Sequence, residues 1–236
     1  AKLLEYNADT PTALYETGVF QWLWLEARMA DGGLPAGADQ FNSLHDKLIA
    51  RWRAIAPGGK LHLSCLAEEP EDRGTVDYLA DCAVQAGLVT RFVDVGAIAL
   101  LEDGRFGDRS GPIDLLFKLY PWEWMFRETF GGAVRGSATR FVEPPWKAIL
   151  SNKGILPMLW EMETGHPNLL PAFFDDDPRK AELGDSFAKK PLYSREGANV
   201  LLVQRSAVLD QDTGPYGAEG HVRQGLARLA RADGNY

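Results

Sequence analysis

Cysteine is scarce. Cys65 and Cys82 are the only two in 236 residues, one in a predicted strand and one in a predicted helix, so they read as reduced, buried residues and exclude a disulfide framework. No apolar run approaches the roughly 20 residues needed to span a bilayer, and no signal-peptide pattern is present, so a cytoplasmic location without a membrane partner is expected. Positive charge is in the minority: 25 Lys and Arg stand against 33 Asp and Glu, for a net charge of -8. That balance argues against a nucleic-acid partner, which calls for a basic surface, and suits small-molecule substrates, cationic ones included. No Ser/His/Asp or Cys/His arrangement stands out as a covalent nucleophile. What remains, with 45% hydrophobic, 11% aromatic and 25% charged residues, is enough to bury one substantial core or two smaller ones in an α/β (α+β) chain.

The periodicity predicts a helix over Ala13 to Met29, with Thr12 as N-cap, then a Gly- and Pro-rich loop over Asp31 to Gln40 and a second helix over Phe41 to Ala54. Leu61 to Leu66 reads as a strand, Arg73 to Gly87 as a helix and Thr90 to Val95 as a strand, a βαβ unit whose strands should run parallel. Ile98 to Leu101 and Arg105-Phe106 flank a hairpin turn at Asp103-Gly104. Ile113 to Tyr120 is a nearly continuous apolar strand that ends in Pro121-Trp122-Glu123-Trp124, and the carboxyl edge of such a strand is where α/β sheets hold ligands. The Asp- and Pro-rich segment Gly165 to Leu183, with Asp175-Asp176-Asp177, reads as a solvated loop, and His221 to Leu226 as a short strand.

Two stretches carry chemistry. Lys190 to Asn199 reads as strand, tight loop, strand, with Gly197 permitting close backbone approach between a Lys and an Arg, so that a polyphosphate could lie over it; the alternative is an ordinary surface hairpin. At the other end, Leu3 and Leu4 begin a predicted strand, which places Glu5 and Asn7 on one side, an acid and amide pair suited to Mg²⁺. Ser151 or Asn152 can cap a helix over Leu156 to Trp160, and Lys153 in its first turn, unfavourable for the helix dipole, makes a phosphate partner plausible, with Lys147 as second choice.

Together these stretches resemble the glutathionylspermidine synthase family of ATP-grasp ligases. The resemblance is carried, in one order, by Leu4 to Thr12 (LEYNADTPT), Leu119 to Trp124 (LYPWEW), Pro144 to Lys153 (PPWKAILSNK) and Lys190 to Asn199 (KPLYSREGAN). It implies an ATP-dependent ligase that activates a peptide carboxylate, glutathione-like, as an acyl phosphate and passes it to an amine, spermidine-like. Such chemistry is positioning and charge neutralisation, with ATP and Mg²⁺ rather than a covalent nucleophile.

The implied roles are Glu5 and Asn7 on Mg²⁺, Glu196 as a third ligand or a loop cap, Lys153 and Lys190 on the phosphates, and Arg195 on the transferred group. Gly197 shapes the loop, and Gln224 and Gly225 match the linker that binds the adenine edge. Asp9, Thr10 and Thr12 match a substrate-binding segment or only cap the helix, and Glu123 would receive an amine or be a helix-entry acid among packing aromatics. The metal strand preceding the lysine loop implies a circularly permuted ATP-grasp with a Rossmann-like pre-ATP-grasp substrate domain. The expected division is 1–30 for the metal strand and helix, 31–135 for the substrate domain and 136–236 for the nucleotide-binding portion. The chain reads as a fragment, without the family's Arg-x-Asp before Ala1 or its Arg-bearing strand after a turn at Asp233 to Tyr236. Nothing matches the amidase domain of the best-known members. A non-catalytic nucleotide- or peptide-binding module is the competing reading.

Overall fold

The computed structural model describes residues 1–227, so the expected turn at Asp233 to Tyr236 lies outside the described residues. The chain forms two compact units, one of Asp9–Pro145 and one of Ala1–Ala8 together with the chain from Trp146 onward. These units divide the chain after Ala8 and after Pro145, beside the expected division at residues 30 and 135. Leu14, Tyr15 and Val19, assigned from sequence to the metal segment, pack instead on the core of the first unit. Among the described residues no helix is long and apolar enough to cross a membrane.

In the Asp9–Pro145 unit, the predicted first helix divides into a π-helical turn, Glu16–Phe20, and α1, Gln21–Ala30. The backbone there passes tightly over Tyr78: a Cβ at Gly18 would lie 2.2 Å from the tyrosine oxygen. Next come α2 (Leu44–Ile55), β1 (Lys60–Cys65), α3 (Pro70–Gln85) and β2 (Val89–Asp94). Pro70 opens α3, with Glu71 and Asp72 in its first turn, as proline's fixed φ and the helix dipole favour. Strands β1 and β2 pair in parallel from Lys60↔Val89 to Cys65↔Asp94, the arrangement predicted for a βαβ unit.

The Asp103-Gly104 turn joins β3 (Ala99–Leu100) to β4 (Phe106–Asp108), and β5 (Gly111–Pro112) completes a small antiparallel sheet. Then β6 (Leu115–Lys118), the short helix α4 (Trp122–Met125) and β7 (Arg140–Val142) follow. The main sheet runs β2-β1-β6-β7, parallel throughout. Alternation along β1 sends Leu61, Leu63 and Cys65 toward one face, where they join Val76, Leu79 and Cys82 of α3 with Trp52 and Phe117 in one buried cluster.

The other unit holds α5 (Ala148–Ser151), α6 (Ile155–Met162) and strands β8 (Ala172–Phe174), β9 (Phe187–Pro191), β10 (Leu201–Gln204), β11 (Ala207–Gln211) and β12 (His221–Gly225). They form an antiparallel sheet in the order β11-β10-β9-β12-β8. The fold class is thus mixed, with a parallel and an antiparallel sheet, as expected of an α/β (α+β) chain.

Two local readings are corrected. Residues 1–7 form no strand, because their backbone groups are taken by other partners: Leu3 N donates to Asn168 O, while side chains bond the carbonyls of Leu3 and Leu4. The acidic run is not a solvated loop. Asp177 caps the 3₁₀ turn Pro178–Leu183, and Asp175 accepts hydrogen bonds from Arg223 on β12 and pairs with Lys189 on β9 at 2.9 Å.

Burial of Asp175 would raise its pKa, but the hydrogen bonds from Lys189 and Arg223 outweigh that and hold it at about 2. A carboxylate depressed on folding stabilises above its unfolded pKa and loses that contribution as pH falls toward the folded one. Asp175→Asn should therefore lower stability at neutral pH by about 2 kcal/mol and flatten its pH dependence between about pH 4 and 2. Urea unfolding across that range checks both.

Candidate functional site

The antiparallel unit concentrates its functional side chains around two lysines. Lys190 stands on β9 opposite Val222, and the strand alternation puts it on the same face as Ala188 and its partner Gln224. Its ammonium is buried and donates to Leu4 O at 2.8 Å and to Gln224 Oε1 at 2.9 Å. Lys153 precedes α6. Asn152 Oδ1 accepts from Gly154 N in the turn ahead of α6, but the helix starts from Gly154 with no side-chain cap, unlike the Ser151 or Asn152 cap predicted; the Lys153 main-chain N donates to Leu192 O and its ammonium to Ser194 O. Both ends of Lys153 are thereby tied to the loop that follows β9.

Glu5 faces this pair, its Oε2 3.3 Å from Lys153 Nζ. The arm that carries it is fixed by Ala8 N donating to Ser151 Oγ and by Lys2 Nζ donating to the carbonyls of Pro167 and Leu169. Burial pushes the Lys190 ammonium down to about 8; Glu5 opposes that shift and Lys153 adds to it. Two largely desolvated cations against one carboxylate leave a deficit of negative charge, and phosphate oxygens would meet it.

The loop between β9 and β10 bears the other predicted residues. Glu196 and Gly197 form its exposed tip at φ 52° and 79°, in the left-handed region where glycine is at ease and glutamate is not. Arg195 is half-buried just before them, and Val200 N closes the turn on Gly197 O. Gln224 and Gly225, matched from sequence to the linker that binds the adenine edge, stand on the strand predicted for them. They lie within β12, where Gly225 N donates to Pro171 O and the Gln224 amide is buried, donating to Leu3 O at 2.9 Å.

For a divalent metal the residues fit in a limited way. Among the described residues no three His, Cys, Asp or Glu side chains group as a metal site. Glu5 and Asn7 are exposed on the irregular arm rather than aligned by a strand. One carboxylate and one amide oxygen are nonetheless a donor set that Mg²⁺ accepts, since it takes its remaining ligands from water and phosphate.

The predicted substrate residues belong to the parallel unit. Asp9 is fully buried: Oδ1 accepts from Lys118 Nζ and Oδ2 from Trp122 N, both at 2.6 Å. Lys118 also donates to Tyr120 O and lies 4.1 Å from the Trp122 ring centroid. Asp9 thus holds the start of α4 through Oδ2 and Lys118 through Oδ1, with its carboxylate buried. Thr10 is buried, whereas Thr12 is exposed and its carbonyl accepts from Thr75 Oγ1; Glu123 is half-buried in the first turn of α4.

Sequence reasoning missed a cavity of about 570 Å³ at the carboxyl ends of β1, β2 and β6, lined among others by Leu66, Val95, Gly96, Tyr120 and Glu128. Tyr120 donates to Glu128 Oε1 at 2.9 Å, and burial, then that carboxylate, pushes its hydroxyl up to about 12. The signal available was positional: each of Leu66, Val95 and Tyr120 directly follows or ends an apolar strand, where open α/β sheets bind ligands.

Comparison with known proteins matches the whole chain, residues 1–236, to the family described as "Glutathionylspermidine synthase preATP-grasp". The chain belongs to that family. It is 40% identical over 247 residues to a Haemophilus influenzae protein named "Putative acid--amine ligase", covering all of this chain and 62% of that protein. It is 26% identical to the trypanothione synthetase of Crithidia fasciculata and 26% identical to the bifunctional glutathionylspermidine synthetase/amidase of Escherichia coli, covering all of this chain in each case. The chain spans 39% and 41% of those two longer proteins.

Because Lys118 is buried with Asp9 as its ion-pair partner, Asp9→Asn should cost about 3–5 kcal/mol, the usual penalty for leaving one member of a buried pair uncompensated. Chemical unfolding of the variant, with Thr12→Ala as an exposed control from the same segment, measures it.

Proposed function

We propose that this chain supplies the nucleotide and metal residues of an ATP-dependent carbon–nitrogen ligase. In this reading the antiparallel unit is the ATP-binding part of a circularly permuted ATP-grasp, and the parallel unit is a Rossmann-like pre-ATP-grasp domain that holds substrate. The observation that carries it is the pair of buried lysines beside Glu5, a charge arrangement that a polyphosphate would complete. The names of the family and of its acid–amine ligase relatives support the same reaction class.

The reaction proposed has two steps. A carboxylate oxygen of a glutathione-like peptide attacks the γ-phosphorus of ATP, and the bond to ADP breaks. A spermidine-like amine then attacks the acyl carbon, phosphate leaves with the bonding electrons, and the amine's proton goes to solvent or phosphate. Lys153 and Lys190 neutralise the phosphates, and Arg195 offers a planar donor pair to the transferred group. Glu5 and Asn7, with Glu196 as a third, would hold Mg²⁺, which would supply screening of the phosphate charge. Thr12 and Glu123 are the accessible members of the predicted substrate set, and Glu128 adds a carboxylate at the cavity beyond β6.

The test is phosphate release and amide formation by the full polypeptide with ATP, Mg²⁺, glutathione and spermidine. Amine-dependent ADP and an amide product are expected; nucleotide binding without turnover for any amine would reduce the chain to a binding module.

Lys190 also allows a prediction that separates function from stability. Holding its ammonium at about 8 rather than at the ordinary 10.5 disfavours the charged folded form by roughly 3 kcal/mol at neutral pH. Lys190→Met removes that cost but leaves the Leu4 and Gln224 oxygens without their donor, at about 1–3 kcal/mol each. The opposing terms predict a nucleotide-free protein of little-changed melting temperature that has lost ATP-dependent turnover. Calorimetry together with the ligase assay reads both.

A further inference from the structure

The buried amide of Gln224 has two partners that sequence reasoning could not foresee. Its Oε1 accepts from Lys190 Nζ at 2.9 Å and its Nε2 donates to Leu3 O at 2.9 Å. Lys190 in turn donates to Leu4 O at 2.8 Å, and one residue further along, Glu5 approaches Lys153. The chain of contacts is therefore closed: β12 holds the lysine of β9 and the arm at once, and the arm carries the carboxylate.

We infer that Gln224 is a positioning residue that locks the Glu5-bearing arm and the Lys190 ammonium into one register, rather than a residue that reads the adenine base. The amide is suited to this because it offers an acceptor to a cation and a donor to a carbonyl on one planar group. A carboxylate would repel the Leu3 carbonyl, and a hydrocarbon would leave Lys190 and Leu3 each short of a bond. Residues 1–7 form no helix or strand, so their placement depends on a few such side-chain contacts. Gln224 bonds both the arm's main chain and a lysine of the site.

This inference rests on the ligase reading for its consequence but not for its geometry, so two readouts are needed. The first is amide hydrogen exchange of Leu3 to Glu5 in the nucleotide-free full polypeptide. Gln224→Met should raise it at least ten-fold, and unchanged exchange would overturn the inference. The second is binding of ATP and of adenosine by calorimetry with Mg²⁺ present. Gln224→Met should weaken ATP about ten-fold and leave adenosine within two-fold, because Lys190 and Glu5 serve the phosphates and not the base.

Equal loss for ATP and adenosine would place Gln224 on the base and overturn the positioning role. If the unaltered protein bound neither nucleotide, the ligase reading would fall, while exchange in the arm would still decide the inference. Should Gln224→Met not fold, Gln224→Glu keeps the acceptor for Lys190 and removes the donor to Leu3. Faster exchange in the arm is then expected, and exchange matching the unaltered protein would refute the lock.

Discussion

Burying a lysine is the constraint from which the antiparallel unit is built. An ammonium taken out of water must be met by oxygen atoms at close range, and the cheapest local supply is main-chain carbonyl. Lys190 takes Leu4 O and the Gln224 amide, and Lys153 takes Ser194 O. These demands draw together four segments distant in sequence: the N-terminal arm, the turn before α6, the loop after β9 and the strand β12. The site is a consequence of satisfying two cations, and the arm is ordered by the same contacts.

The parallel unit repeats the device with a different outcome. Lys118 is buried against Asp9, the Tyr120 carbonyl and the face of Trp122. Here the lysine's partners include a full carboxylate of the fold, so the charge is balanced in place. What this network positions is the start of α4 and, with it, Glu123 and the aromatic side chains of Trp122 and Trp124. One buried lysine has been closed off as structure, and the other pair has been left short of negative charge.

Local pattern made much of this legible. The βαβ unit was readable because β1 and β2 are apolar runs of strand length and α3 carries a proline and two acids where a helix begins. The hairpin at Asp103-Gly104 and the β9–loop–β10 stretch were readable for similar reasons of turn chemistry and alternation. What was hidden depends on partners far away in the chain. Nothing near Asp9 announces that its counter-ion lies 109 residues on, nor does β12 show that Gln224 will meet Leu3 across 221 residues. The arm misled for the same reason: Leu3-Leu4 has the composition of a strand, but its carbonyls are claimed by side chains, so no ladder forms. Asp175 in its triplet looked like solvated charge because the cations that bury it, Lys189 and Arg223, sit on other strands.

The two ion pairs differ in a way that bears on chemistry. Asp9 and Lys118 are 0% and 1% exposed, whereas Glu5 is 55% exposed where it meets Lys153 at 3.3 Å. A pair fully withdrawn from water is held by the several kcal/mol that would be lost on separating it, so it cannot exchange partners within a reaction cycle. A pair with one member half in solvent is worth about 1 kcal/mol or less, an amount that a divalent cation or a phosphate oxygen easily outcompetes. In the proposed ligase reading Glu5 would hold a metal and Lys153 a phosphate, roles that a weak mutual contact would permit. The weakness of that contact, set beside the permanence of Asp9–Lys118, is what makes Glu5 a candidate ligand and Asp9 part of the frame.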